Sequence, residues 1–110
     1  MKGLIIKEPY INQILLGKKK WEIRGTRTKI RGKIALIKSG SKKIYGEIEL
    51  YDCFEINIDE YSKFCENLYG KKELRLPYKR TYAWVLRNPI IYDKPKPYVH
   101  PKGAIIWVNL

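Results

Sequence analysis

The sequence predicts an α+β domain built from about six strands and two helices, on the basis of three observations. Apolar runs of strand length, separated by Gly, Pro and Ser, recur along the chain. Two segments instead place their apolar residues three and four positions apart, which is typical of helices that cover a core. The length of 110 residues suits one hydrophobic core and not two, so we expect a single domain over residues 1–110.

The N-terminal part predicts a strand followed by a helix. Gly3–Lys7 is a short apolar run that indicates the first strand. Pro9 suits the first turn of a helix, and Gly17 is a typical helix stop. Between them, three apolar residues have the spacing of one buried face: Ile11, Ile14 and Leu15. The helix therefore ends just before the lysines at residues 18–20.

The segment after this helix combines cations, an aromatic ring and one carboxylate. Strand alternation places Glu22 and Arg24 on one face and Trp21 on the other, where core packing is favoured. Lys19 can join Glu22 and Arg24 if it belongs to the turn after the helix. Donors around one carboxylate suit a flat polar ligand such as a nucleobase. The simpler interpretation is an exposed edge strand whose ion pairs each contribute about 0 to 1 kcal/mol.

A polar, basic loop follows at residues 25–32, framed by glycines and lacking an apolar period. Loops of this kind carry function more often than structure. Arg27, Lys29 and Arg31 are therefore candidates for contacts with phosphates, together with the threonines at positions 26 and 28.

The remaining elements are a hairpin, a second helix and three C-terminal segments. The hairpin is predicted at residues 33–38 and 44–52. The helix is predicted at residues 60–69 with Asp59 as its N-cap, and its acidic face is expected to lie away from the basic surface. The C-terminal strands are predicted at residues 81–86, 90–92 and 103–110, with a break at Asn88–Pro89 and an extended connection at residues 94–98.

The charge is strongly basic, with 23 Lys and Arg against 11 Asp and Glu and a net charge of +12. Residues 17–43 contain eleven basic residues and one acid, a local charge of +10. Such a field attracts polyanions and favours phosphate contacts through counterion release. A lysine-rich surface also keeps a small protein soluble. Because the charge is clustered and interleaved with aromatics, we favour nucleic acid as the partner.

The sequence offers little for metals, cofactors or membranes. Cys53 and Cys65 lack CxxC spacing, and His100 is the only histidine, so neither a zinc site nor a disulfide framework is predicted. We expect no metal and no cofactor. No apolar run has the length that spans a bilayer, and no secretory signal is recognisable. We therefore expect a cytoplasmic protein without membrane contact.

The motif residues resemble the ASCH domain. Its signature is similar to Gly-x-Lys-x-x-Glu-x-Arg, matched here by Gly17, Lys19, Glu22 and Arg24. A weaker likeness continues at several later positions: Pro9-Tyr10, Arg31-Gly32, residues 34–37, Gly46-Glu47, Trp84 and residues 103–107. ASCH domains belong to the PUA-like group, so the resemblance implies a small mixed β-barrel of about six strands with two flanking helices.

The resemblance also implies a site. In ASCH domains the motif residues face a cleft between the barrel and the first helix, so Lys19, Glu22 and Arg24 are expected to receive a base or modified nucleoside there. A base also gains by stacking on an aromatic ring, for which Tyr10, Tyr82 and Trp84 are candidates. The alternative for Tyr82 and Trp84, which share one face of a strand, is burial inside the barrel.

The resulting prediction is a domain that binds nucleic acid, RNA in preference to DNA, or a modified nucleoside. The alternative is a small metal-independent enzyme with Lys19 and Glu22 as catalytic residues. Some relatives act as amidohydrolases on acetylated cytidine through a lysine, a threonine and a later glutamate, but Glu22 stands where that threonine would be. A ribonuclease could use Lys19, Tyr82 and Arg24. The identity of the base and the oligomeric state stay open.

Overall fold

In the computed structural model, which describes residues 1–110, a six-stranded sheet curls into a half-barrel and carries two helices. The strands are β1 (Lys2–Ile6), β2 (Trp21–Arg24), β3 (Gly32–Lys38), β4 (Lys43–Ile56), β5 (Thr81–Pro97) and β6 (Trp107–Asn109). The helices are α1 (Tyr10–Leu15) and α2 (Ile58–Tyr69). The predicted α+β class and the small mixed barrel of about six strands are confirmed.

The sheet has the strand order β2-β5-β4-β3-β1-β6, so β2 and β6 form its two edges. Only β1 and β3 are parallel, and all other pairs are antiparallel. Side chains bridge the gap between the ends: Trp84 on β5 stacks on Trp107 of β6 with ring centroids 5.8 Å apart. Arg24 at the end of β2 donates to the carbonyl of Ile5 on β1. Curling therefore brings β2 close to β1 without a ladder between them.

The core fills the inside of the curled sheet, and α1 seals one of its openings. The buried face predicted for this helix is present, since Ile11, Ile14 and Leu15 are all buried. They join apolar residues of four strands in one cluster: Leu4, Ile6, Ile34, Leu36, Ile48, Leu50, Tyr82, Trp84 and Leu86, with Trp107 of β6 packed against it. Burial of this kind stabilises by roughly 25 cal/mol per Å² of apolar surface.

The predicted hairpin of β3 and β4 is present, but the predicted break at Asn88–Pro89 is wrong. β5 continues through both residues and pairs with β4 on either side of them, Glu47 with Ile90 and Glu49 with Arg87. Asn88 and Pro89 form an irregularity opposite Ile48, and Asn88 has a left-handed φ of 57°. A proline lacks the N–H of a ladder, and a bulge is one of the few places in a sheet that tolerates it.

The ends of two other elements also differ from the prediction. Asn57, and not Asp59, is the N-cap of α2: its side chain accepts from the amide of Glu60, whose carboxylate accepts from the amide of Asn57. This reciprocal capping box satisfies two otherwise unpaired amides. The final strand is only Trp107–Asn109, because pairing with β1 ends there and residues 101–106 form turns.

The position of α2 contradicts the expectation that it lies away from the basic surface. The ring of Phe64 stacks on Trp21 of β2, with centroids 5.2 Å apart and ring planes 13° from parallel. The helix is therefore anchored beside the lysine run that precedes β2. Neither α2 nor α1 is long and apolar enough to cross a membrane.

Candidate nucleic-acid interface

The turn between α1 and β2 sets the position of the motif. The amide of Gly17 donates to the carbonyl of Ile14, and the amide of Lys18 donates to Gln13, which is the Schellman pattern of a helix end. Gly17 has a φ of 79°, a conformation that side chains with a Cβ rarely adopt. The amide of Lys19 also donates to Gln13. The turn thus folds Lys19 back toward β2, as its place after Gly17 predicts.

Lys19, Glu22 and Arg24 form a mostly buried triad of charges. Lys19 Nζ lies 2.7 Å from Glu22 Oε1, and Arg24 Nε donates to Glu22 Oε2 at 3.0 Å. Arg24 Nη2 lies 2.8 Å from the same Oε2 and also donates to Ile5. Lys19 is only 5% exposed and Glu22 only 6%. Each carboxylate oxygen is therefore taken by one cation, and the remaining N–H groups of both cations are available to a ligand.

The triad lies in a cleft of about 700 Å³, here termed the motif cleft, which is bounded by β2, α1, α2 and the loops on either side. Besides the triad, the charged residues of its lining are Lys7 and Glu73. Its walls also contain five aromatic side chains and two isoleucines of the C-terminal segment: Tyr10, Tyr61, Phe64, Tyr69, Tyr78, Ile105 and Ile106. This volume lies within the range of small-molecule sites. The charged lining has three cations against two carboxylates, so the motif cleft is weakly positive.

Three exposed tyrosines surround the opening of the motif cleft. Tyr10 is 42% exposed, and Tyr69 and Tyr78 are each 45% exposed. Lys19 Nζ lies 4.8 Å from the centre of the Tyr10 ring. Tyr78 crosses the turn after β2, and a Cβ at Gly25 would come within 2.9 Å of its ring. Gly25 therefore leaves the space in which Tyr78 lies beside the cleft.

Tyr82 and Trp84, predicted as stacking platforms, lie in the core instead. Tyr82 is 5% exposed and Trp84 is 2% exposed. The Trp84 indole N–H donates to the carbonyl of Thr26 at 2.9 Å, and its ring is covered by Trp107. Neither ring lines the motif cleft, so neither offers a face to a base. Both residues belong to the core cluster inside the curled sheet, which is the alternative that the sequence left open.

The basic loop at residues 25–32 follows the triad directly and has exposed cations. Arg27 Nε donates to the Tyr82 hydroxyl at 3.4 Å, and this bond raises the pKa of Arg27. Arg31 donates to the carbonyls of Thr28 and Ile30, which orders the loop. Lys29 is exposed and makes no ion pair. Of the three cations of the loop, Lys29 is therefore the one that no other group of the protein engages.

The wall formed by α2 is uncharged. Burial raises the pKa of the Cys65 thiol, and burial together with a hydrogen bond to Cys65 raises the pKa of Tyr61. Burial also raises the pKa of Tyr69. These groups therefore remain protonated at neutral pH and can donate hydrogen bonds. No group of three or more His, Cys, Asp or Glu side chains that could hold a metal ion is present.

The ASCH family model matches residues 4–96, which include the motif, both helices, β2 to β4 and all but the outer ends of β1 and β5. The chain belongs to the ASCH domain family.

Solved structures support the fold of this ASCH domain. It is similar to the crystal structure of ASCH from Zymomonas mobilis, with 16% identity and a TM-score of 0.63 over 87% of this chain and 72% of that chain. A tyrosine-to-phenylalanine variant of that protein gives 16% identity and a TM-score of 0.59, over 87% and 74% of the two chains. A serine-to-alanine variant of the same protein gives 16% identity and a TM-score of 0.61, over 99% of this chain and 87% of that chain. No curated protein matches the sequence.

Part of the motif cleft of this ASCH domain was missed at the sequence level. Tyr61, Phe64, Tyr69, Glu73 and Tyr78 come from α2 and the segment after it, about 40 or more positions beyond the motif. The helix pattern assigned the aromatic residues of α2 to the core. The sequence nevertheless contains a signal. Three tyrosines lie within the polar residues 61–78, which is more than the core of a small domain requires.

Proposed function

We propose that this ASCH domain binds single-stranded nucleic acid, RNA in preference to DNA, and receives one base or modified nucleoside in the motif cleft. The observation that carries the proposal is the buried triad of Lys19, Glu22 and Arg24 at the bottom of an open cleft surrounded by exposed tyrosines. Buried charges with this geometry are fixed in place before a ligand arrives, so little ordering is needed on binding.

The chemistry of the triad favours a ligand that accepts hydrogen bonds. Both oxygens of Glu22 already accept from Lys19 and Arg24, whereas the two cations retain unused donors. Ring nitrogens and carbonyl oxygens of a base supply acceptors, and a tyrosine face supplies stacking worth about 1 to 3 kcal/mol per base. Tyr78 and Tyr10 are the rings placed to provide it.

The phosphates are assigned to the basic loop. Arg27, Lys29 and Arg31 are exposed and follow directly from the last motif residue. Contacts of this kind position the chain without reading its sequence. The test is equilibrium binding of a fluorescein-labelled, single-stranded RNA over a range of salt concentrations, with single-stranded DNA of the same sequence as competitor. We expect log Kd to change with log salt by roughly 0.7 for each phosphate contacted; a flat dependence would exclude the loop as a phosphate-binding element.

The amidohydrolase remains a second candidate because Glu73, a carboxylate distant in sequence, lines the same cleft as Lys19. It matches the residue type of the later glutamate that the family resemblance implies. The nucleophile is the difficulty: Glu22 occupies the threonine position with both oxygens paired, and neither Thr26 nor Thr28 lines the cleft. A ribonuclease that uses Tyr82 is disfavoured by the burial of that ring.

Turnover separates these candidates from a binding module. The protein is incubated with acetylated cytidine, and separately with single-stranded RNA, in the presence of a chelator. We expect binding without product. Deacetylation of the nucleoside that is lost in Glu73→Gln would instead establish the amidohydrolase.

A further inference from the structure

A second cavity of about 370 Å³ lies between β2 and α2, and we term it the β2–α2 groove. Its apolar floor consists of Trp21, Phe64 and Leu68. Trp21 is half-buried, and its ring is held by Phe64 on one side and by the edge of Phe54, whose centroid lies 5.5 Å away. The groove is thus a preformed apolar surface whose volume lies within the range of small-molecule sites.

The border of the groove is basic. Lys18, Lys20 and Lys63 line it and are exposed, and none of them makes an ion pair. The only acid in its lining is Glu60, whose carboxylate already accepts from the amide of Asn57. The local charge is +2. Unpaired ammonium groups around an apolar floor complement an aromatic ligand that carries an anion.

The groove and the motif cleft are neighbours that share one wall. Phe64 lines both cavities. The lysine run divides between them: Lys19 enters the motif cleft, whereas Lys18 and Lys20 line the groove. The lysine run at residues 18–20 therefore lies at the boundary between the two cavities.

We propose that the β2–α2 groove is a second nucleotide subsite, which takes the neighbour of the nucleotide held in the motif cleft. The inference rests on the proposed function. The base lies against Trp21 and Leu68, and the intervening phosphate contacts Lys20 and Lys63. Nucleic acid is favoured over an acidic peptide because a nucleotide presents a flat ring and a phosphate together, as this floor and border require.

The test compares ligands of increasing length by calorimetry: uridine 5′-monophosphate, and oligouridylates of two and four nucleotides. We expect Lys20→Ala/Lys63→Ala to weaken binding of the tetranucleotide roughly tenfold at low salt and to reduce its salt slope by roughly 0.7, the value for the one phosphate that both lysines contact. Binding of the monophosphate should change less than twofold. The charge-matched control is Lys71→Ala/Lys94→Ala, since both lysines are exposed and lie outside both cavities.

A second readout is the fluorescence of Trp21. Quenching by the tetranucleotide, absent with the monophosphate and lost in Trp21→Phe, would support a base on this ring. Equal affinities of the two double variants for the tetranucleotide would overturn the subsite. An acidic aromatic peptide that binds the groove without competition from the tetranucleotide would also overturn it.

Failure of the subsite and failure of the proposed function give different results. If the wild type binds the tetranucleotide, and Arg24→Ala weakens it while Lys20→Ala/Lys63→Ala does not, only the subsite is wrong. If the wild type binds neither the monophosphate nor the oligonucleotides, both proposals are wrong.

Discussion

At the scale of single residues, Glu22 is the carboxylate that balances the two cations of the triad in the motif cleft. It is buried between two cations, and the low dielectric of such a site makes the loss of one partner far more costly than the pair is worth in water. The comparable pair of Arg87 and Glu49 has the same separation of 2.7 Å but lies at the surface. The two glutamates therefore contrast a buried carboxylate between two cations with a more exposed carboxylate that pairs with one.

Glu22→Gln should lower the free energy of unfolding by about 3 kcal/mol or more, because Lys19 and Arg24 lose their counter-charge inside the protein. Glu49→Gln is the matched control and should cost about 1 kcal/mol or less. Urea unfolding followed by circular dichroism measures both. Equal losses in the two variants would contradict a buried triad.

Tyr78 is the ring whose role is tested most easily, since it is exposed and its place depends on Gly25. Tyr78→Ala should weaken binding of a single-stranded RNA by about 1 to 3 kcal/mol, the value of one stacked base, whereas Tyr78→Phe should bind almost as the wild type does. Fluorescence anisotropy measures the affinities. Tyr51→Ala removes a tyrosine of similar exposure outside the cleft and should have no effect. Stacking on Tyr78 is excluded if the two alanine variants bind alike.

At the scale of elements, the path from α1 to β2 could be predicted because its signals are local. A glycine stop, a three-residue turn and strand alternation suffice to bring Lys19, Glu22 and Arg24 together. The continuity of β5 could not be predicted, since it depends on β4 pairing across the bulge at Asn88–Pro89. The N-cap of α2 was predictable: Asn57 stands three residues before Glu60, which is the spacing of a capping box.

The helix end at Gly17 can be tested by substitution. A Cβ there meets no atom within 4 Å, so the cost of Gly17→Ala comes only from the left-handed φ of 79°. We expect a loss of about 1 kcal/mol in the free energy of unfolding. Gly70→Ala, at the end of α2 with a φ of 77°, should cost the same. Denaturant unfolding measures both variants. A free-energy loss several times larger for Gly17→Ala than for Gly70→Ala would contradict the view that only the left-handed φ sets the cost at Gly17.

The ladder between β4 and β5 carries a pH-dependent contact. The hydroxyl of Tyr92 donates to Glu47, and burial followed by this bond raises the pKa of Tyr92 from its usual value of 10.0 to about 12. The folded state therefore holds the proton more tightly than the unfolded state, so the contribution is complete below pH 10 and is lost as the pH rises toward 12. Stability measured from pH 8 to 11.5 should fall less in Tyr92→Phe than in the wild type. Parallel curves would show that the pKa of Tyr92 is not raised in the folded state.

At the scale of the whole molecule, an open half-barrel explains why the site lies where it does. The edge strands β2 and β6 do not pair with each other, so a gap is left beside β2. Side chains and α2 fill part of this gap, and the unfilled part is the motif cleft. The fold class and the motif triad could be predicted from residues near one another in sequence. The far wall could not, because the packing of Phe64 on Trp21 is a contact between distant segments. The burial of Tyr82 and Trp84 likewise depends on contacts between distant segments, which the sequence does not show.

The central claim is that the triad reads a base, and base preference tests it most directly. Affinities of four homopolymeric single-stranded RNAs are measured for the wild type and for Arg24→Ala, Lys29→Ala and Arg87→Ala. Phosphate contacts position a chain and base contacts specify it, so Lys29→Ala should weaken all four about equally. Arg87→Ala removes an arginine from an arginine–glutamate pair outside the motif cleft and should change nothing. The account predicts that only Arg24→Ala levels the affinities for the four bases; if its base profile matches that of Lys29→Ala, the triad does not read a base.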